Sequence, residues 1–319
     1  GIWLALWLQS LGANVTGLAL APNTTPNHWD LLNLDIPEHR IDICDQEAVA
    51  AAVKAANPEI VFHLAAQSLV RLSYGTPIET WKTNVMGSAN LLEACRTLPD
   101  LKAVVFVTTD KCYENKESVK GYTEEDRLGG HDPYSASKAS AEFVAASYRD
   151  SFFKGTPLIA SARAGNVIGG GDWAADRIIP DLARAQEKGE DLIVRSPNAV
   201  RPFQHVLEPL AGYLQLGQKL LEQKQEFQGA WNFGPDQNGV LSVSDLLTRL
   251  KAQWKVQSNN DLHETKILLL DSAKAHEKLK WQPVLSMDDQ LGMTAEWYNS
   301  FHKDKSVLSA RQLEQYQTT

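Results

Sequence analysis

Residues 102–109 read KAVVFVTT, apolar without interruption from Ala103 to Val107. A strand with one face in water alternates apolar and polar positions. This run does not, so both of its faces are expected to be covered, as in a parallel sheet flanked by helices. Its end is equally informative. Thr108 and Thr109 lead directly into Asp110 and Lys111, a hydroxyl, an acid and an amine where a purely structural strand would stop in turn residues. Ligands of open α/β sheets bind at the carboxyl ends of the strands, so this trio stands where chemistry is done.

Outward from that strand the pattern repeats. NVTGLAL (14–20), RIDI (40–43), EIVFHLAA (59–66) and PLIASARAGNV (157–167) read as further strands. Helical patterns at 45–57, 83–98 and 133–152 lie between them. Strands alternating with helices predict an α/β fold, a doubly wound parallel sheet of Rossmann-like type. From about residue 166 the regularity weakens into GGGDW, SPNAVRPFQH and WNFGPDQNG, around helical pieces at 176–188 and 208–224. The expected division is a Rossmann-like domain over 1–165 and a smaller, mixed substrate-binding region over 166–319, with segments that return to the first domain. The final stretch 309–319, SARQLEQYQTT, is polar and is expected to fray.

The opening GIWLALWLQSLG has eight apolar residues in twelve, which suits a helix sandwiched against a sheet. A dinucleotide-binding unit needs a strand and a glycine-rich turn before such a helix. Gly1 then reads as the last glycine of that turn, with the first strand and the start of the turn missing; a helix that simply begins the chain is the alternative. No basic leader and no small-residue cleavage site mark it as a signal peptide, and it is too short to span a membrane.

A formal net charge of -8 without a Lys/Arg-rich run excludes a nucleic-acid partner. Cys44, Cys95 and Cys112 are odd in number and lack metal-ligand spacing, so the expectation is no metal, no disulfide framework and a cytoplasmic location. No membrane association is expected.

The second informative stretch is DPYSASK, 132–138. Asp132 suits a helix cap and Pro133 the first helical position. Tyr134 and Lys138 then share one helical face. An ammonium near a phenol stabilises the phenolate, lowering its pKa so that it exchanges a proton with a substrate hydroxyl.

With these residues the chain resembles the extended short-chain dehydrogenase/reductase family, in particular its nucleotide-sugar 4,6-dehydratases. The resemblance runs through HLAA (63–66), TN (83–84), TTDK (108–111), YSASK (134–138), RAGNVIGGGDW (163–173) and RPFQHV (201–206). Asp-Lys after the second threonine, GGGDW and RPFQHVLEP resemble the subgroup that acts on CDP-glucose. The resemblance implies that Tyr134 and Thr109 act on the C4 hydroxyl, with Lys138 in support. It implies that Asp110 is the acid for the departing C6 hydroxyl and that Lys111 stands where the family has its base. Lys111 either removes the C5 proton, stabilises the enolate, holds Asp110 ionised, or is a solvated loop lysine. NAD is the implied cofactor, contacted by Gly1, Asp42, Ile43, Leu64, Ala65, Ala66, Asn84 and Thr108 beside Tyr134 and Lys138. The residues agree to this extent: no Lys or Arg precedes Arg40, so no cation awaits a 2′-phosphate after the second strand.

For the nucleotide-sugar substrate Arg201 is the leading diphosphate ligand, because guanidinium groups pair well with phosphate oxygens. Asn166, Trp173, Arg177 and His205 are further candidates, Arg177 equally an ion-pair partner and His205 equally a structural hydrogen-bonder. His63, inside a strand, reads as a core histidine, and Asn84 as a support for the Lys138 network. The resemblance also implies a homodimer built on the 83–98 and 133–152 helices. A nucleotide-sugar 4-epimerase would share Thr109, Tyr134 and Lys138 but has no use for residues 110 and 111. A non-catalytic NAD-sensing regulator would need neither.

Overall fold

The structure, a computed structural model, describes residues 1–257 and 265–319. Its first helix, α1 (Ile2–Ser10), buries Trp3, Leu4 and Trp7. It is followed by β1 (Gly17–Ala19), α2 (His28–Leu32), β2 (Glu38–Arg40), α3 (Gln46–Ala56) and β3 (Ile60–His63). Next come α4 (Val70–Gly75), α5 (Pro77–Trp81), a π-helical turn over Lys82–Gly87 and α6 (Ser88–Cys95), leading to β4 (Ala103–Val107). After β4 stand α7 (Pro133–Ser151), β5 (Leu158–Ala164), β6 (Asn166–Ile168), α8 (Ile178–Lys188), β7 (Leu192–Val194), β8 (Val200–His205) and α9 (Leu207–Leu221). The chain closes with β9 (Gly229–Phe233), β10 (Val240–Ser242), α10 (Val243–Arg249), β11 (Trp254–Val256), α11 (Met287–Asp304) and α12 (Ser309–Gln317).

Four strands form the central sheet in the order β3-β4-β5-β9, all parallel. Residues 103 to 106 have no accessible surface. Successive side chains point to opposite faces. Ala103 and Val105 therefore enter one apolar core with Trp231, Leu216 and Leu207, while Val104 and Phe106 enter a second with Val49, Leu92 and Ile159. Two-sided burial is thus the reason for the unbroken apolar run. Although β9 comes late in the sequence, it adds a strand to this sheet, and α9 packs on β4 and β5.

Three departures from the sequence expectation have local causes. The run 157–167 is two strands: β5 stays in the central sheet, while β6 leaves to pair with β8. The break is Gly165, where a Cβ would stand 2.5 Å from Pro202 Cγ, so the two backbones meet only because that atom is missing. The strand expected at 14–20 shrinks to β1, and the one expected at 40–43 lies earlier as β2, which shares only Arg40 with it; among the described residues the two pair only with each other and lie half-exposed. Past β2, Asp42 turns the chain by accepting the Cys44 N–H at 2.8 Å, and such side-chain turns compete with strand pairing. The polar stretch 309–319 forms α12, anchored by buried Leu313 and by Tyr316, whose hydroxyl donates to buried Glu208 at 2.8 Å.

Candidate active site

A cavity of about 660 Å³ opens beyond the carboxyl end of β4. Thr109, Asp110 and Lys111 line it on one side and Tyr134 on another, with Asn166, Arg177 and Arg201 from the later part of the chain. The local architecture follows from the sequence. Beyond β4 the chain tightens into a 3-10 turn over Asp110–Cys112, capped by Thr109, whose hydroxyl accepts the Lys111 N–H at 3.3 Å. Asp132 caps α7 by accepting the Ser135 N–H at 2.9 Å, with Pro133 at the first position, so Tyr134 projects from the first turn.

The Thr109 hydroxyl donates to Asp110 Oδ1 at 3.0 Å, and Lys111 Nζ stands 3.7 Å from the same oxygen. Asp110 Oδ2, also buried, has no hydrogen-bond partner among the described residues and faces Gly165, where a Cβ would stand 3.3 Å away. One carboxylate oxygen is therefore saturated and the other bare. Tyr134 is hydrogen-bonded through its side chain to Thr109.

Burial governs Tyr134 more than Lys138 does. Desolvation pushes the phenol up to about 12; the Thr109 bond opposes the rise, the Asp110 charge adds to it and Arg177 opposes it. Lys138 is itself buried, its pKa lowered to about 8 by desolvation, and its ammonium donates to the Val107 carbonyl at 3.1 Å. The four-residue spacing brought phenol and ammonium to one face, yet the lysine is turned toward the strand. The depressed phenol expected from that spacing is not what this geometry gives.

The other sequence candidates divide. Arg201 lines the cavity but its guanidinium also donates to the carbonyls of Val200 and Lys266 at 2.9 and 3.3 Å. Arg177 is ion-paired to Asp172 at 2.9 Å and donates to Ser68 Oγ at 2.8 Å. Trp173 is turned away from the cavity into an aromatic cluster with Trp297, Tyr298 and Phe301. His205 is fully buried against Trp3 and does not line the cavity; burial lowers its pKa to about 3. Gly1 is the N-cap of α1 and lines the cavity.

Asn84 joins the loop after β3 to α7: its Oδ1 accepts the Gln67 N–H at 2.8 Å and its amide donates to Ser137 Oγ at 2.9 Å, beside Lys138. The Thr108 hydroxyl is committed to Glu142, which also pairs with Arg163 at 2.9 Å and accepts from Ser161. Leu64 and Ala65 pack against the two cores, Ala66 follows them half-buried, Ile43 is buried against Gly87, and Asp42 closes its own turn. His63 is a core histidine, bonded to Ser88 Oγ at 2.9 Å.

Sequence reasoning missed two features. The buried Glu142–Arg163 pair lies under the β4 end, assembled from residues 21 apart in α7 and β5. The short α4 puts Arg71 and Tyr74 on the cavity wall, and its Ser73 Oγ accepts the Tyr134 N–H at 3.2 Å. A six-residue helix carries too little periodicity to be recognised from sequence.

Comparison with known proteins agrees with this architecture. Residues 1–294 match the family described as GDP-mannose 4,6 dehydratase. The chain is 43% identical to the CDP-glucose 4,6-dehydratase of Salmonella typhimurium, over 99% of this chain and 92% of that one. Its fold is similar to that of the dTDP-glucose 4,6-dehydratase of Streptomyces venezuelae, solved with NAD bound (TM-score 0.79, 22% identity, 94% of each chain). It is equally similar to that of the UDP-glucose 4-epimerase of Stenotrophomonas maltophila, also solved with NAD (TM-score 0.81, 19% identity, 94% of this chain and 95% of that one). The class is that of Rossmann-like enzymes of the short-chain dehydrogenase/reductase type. Within it, the chain belongs to the GDP-mannose 4,6-dehydratase family.

Proposed function

We propose that this chain is an NAD-dependent hydro-lyase that converts CDP-glucose to its 4-keto-6-deoxy derivative. The observation that carries the reading is the meeting of Tyr134 and Thr109 with Asp110 and Lys111 in one cavity. An epimerase needs only the first two, and its fold is similar to this one. The 43% identity to a CDP-glucose 4,6-dehydratase supports the same choice.

The residues present suit NAD. The first turn of α1 lacks a side-chain cap and faces the cavity, and such a helix end attracts a pyrophosphate. Small residues Ala65 and Ala66 after β3 allow close approach, and Asp42 stands after β2 as a carboxylate acceptor. Gly1, Ile43, Leu64, Asn84, Thr108 and Lys138 complete the set, Thr108 through its backbone because its hydroxyl is bound to Glu142. NAD, when bound, supplies the acceptor and later the donor of hydride.

On the protein side, Thr109 and Tyr134 hold O4; Tyr134, a neutral phenol at rest because burial raises its pKa, takes the O4 proton as its own passes through Thr109 to Asp110. The ketone at C4 then acidifies the C5–H bond. The Asp110–Lys111 pair completes elimination: Lys111 accepts the C5 proton, and Asp110 delivers from its bare Oδ2 the proton that came from O4 through this relay to the departing C6 hydroxyl. When hydride returns to C6, Lys111 gives its proton back to C5, so the pair ends as it began. Asn166, Arg177 and Arg201 are the diphosphate ligands, for which Arg177 must exchange Asp172 for phosphate; Trp173 and His205 support the pocket from behind.

We further infer a cytoplasmic homodimer divided at residues 165 and 166. The three cysteines are free, and no helix among the described residues is long and apolar enough to cross a membrane. Ile78, Met86 and Phe143 stand exposed on the α5–α6 passage and on α7. A Phe143→Glu variant is expected to sediment as a monomer where the wild type sediments as a dimer; a monomeric wild type contradicts the proposal. For the reaction itself, incubation with CDP-, dTDP- and GDP-glucose should give a product lighter by one water from CDP-glucose. An isobaric product would instead indicate epimerisation.

A further inference from the structure

The residues assigned above account for C4, C5 and C6 of the hexose and leave its C3 side without a partner. Helix α4 offers one. Tyr74 lines the same cavity as Tyr134 and Asp110. Its hydroxyl oxygen is screened from solvent and hydrogen-bonds nothing among the described residues. Buried hydroxyls nearly always find a partner, and one left alone weakens the fold, so its retention calls for a cause.

The side chain is not free to seek a partner elsewhere. Its neighbour Ser73 accepts the Tyr134 N–H at 3.2 Å and donates to the Val70 carbonyl at 2.6 Å. Three residues before Tyr74, Arg71 pairs with Asp176 at 3.5 Å. Tyr74 is thus fastened to the first turn of the helix that carries Tyr134. Desolvation, and after it the Asp132 charge, raise its pKa, which keeps it a protonated donor at neutral pH. A sugar hydroxyl is the acceptor that fits such a phenol, whereas a phenylalanine would serve packing alone.

We propose that Tyr74 is a substrate-binding residue whose hydroxyl donates to the C3 hydroxyl of the hexose, a proposal that rests on the dehydratase reading. C3 follows by elimination, because it is the neighbour of the reacting carbon that the elimination machinery does not occupy.

The test is Tyr74→Phe in the full chain. Loss of the hydroxyl should raise KM and lower kcat/KM about tenfold, equivalent to about 1.4 kcal/mol, with kcat nearly unchanged. The melting temperature should stay level or rise, because a partnerless hydroxyl has gone. With the 3-deoxy analogue of the same nucleotide sugar, wild type and variant should be equal. Unchanged kinetics, a lowered melting temperature, or an equal loss with the 3-deoxy analogue would each overturn the assignment. Calorimetric binding of whichever nucleotide hexose the wild type takes gives the same comparison without turnover. Failure of the wild type to form a 4-keto-6-deoxy product is a separate result: it sinks the dehydratase reading and with it the assignment to C3, while equal binding by wild type and variant sinks Tyr74 as a hexose ligand.

Discussion

Lys111 differs from its neighbours at the end of β4 in keeping a quarter of its side chain exposed while Asp110 beside it is buried. The pairing at 3.7 Å fits the sequence alternatives in which Lys111 acts together with Asp110. If the pair moves the C5 proton, Lys111→Ala should abolish exchange of that hydrogen with solvent deuterium, a loss of roughly 10²–10⁴-fold for a lost general base. NAD affinity should hold. Wild-type exchange in the variant would dismiss the role. Thr109, Asp110 and Tyr134 were legible as candidates because a strand end and a capped helix start have recognisable residue types. Glu142 and Arg163 were not, because a pair buried at 5% and 4% side-chain exposure reads in sequence as an ordinary helix acid and strand base.

At the scale of elements, β2 revises the charge argument for the cofactor. Arg40 is the first cation in the sequence, but the parallel pairing of β1 and β2 brings it alongside Ala19, and its guanidinium donates to the Leu20 carbonyl at 3.1 Å. Positive charge therefore does stand at the end of β1. It is met by Glu38, 2.6 Å away, so Arg40 is not an unpaired cation awaiting a 2′-phosphate. Glu38→Ala should release Arg40 and raise kcat/KM with NADP relative to NAD several-fold. An unchanged ratio of the two cofactors would show that Arg40 is out of reach of the ribose. Sequence order could not show this, since the contact depends on the register between two strands some twenty residues apart.

For the whole molecule, acid should be the sharpest stress. His28, His63 and His205 are each buried, and desolvation lowers each pKa from 6.5 to about 3. The unfolded chain takes up these protons near pH 6.5 while the folded chain resists until about pH 3. Their contribution is complete above pH 6.5 and is lost as pH falls through that window. At pH 5.5 each costs about 1.4 kcal/mol, together roughly 4 kcal/mol, a large part of a typical stability of about 5–15 kcal/mol. The melting temperature should fall steeply between pH 6.5 and 5, and His205→Leu should flatten the slope. A melting temperature constant over that range would contradict the assignment of neutral, buried rings.

The α/β class, the buried parallel strands, the capped helix start at Asp132 and the reactive strand end at Thr109 were each determined by local sequence. Each is a matter of hydrophobic period, capping chemistry or residue type within a short window, and local physics acts over such windows. Tertiary structure alone decided which polar atoms stayed bare among the described residues, Asp110 Oδ2 and the Tyr74 hydroxyl among them. It alone turned Lys138 to a carbonyl, Thr108 to Glu142 and Trp173 to an aromatic cluster. A hydrogen bond is satisfied or left open by whatever atom lies within about 3 Å, and segments distant in the chain become neighbours only when the sheet and its helices close around the cavity.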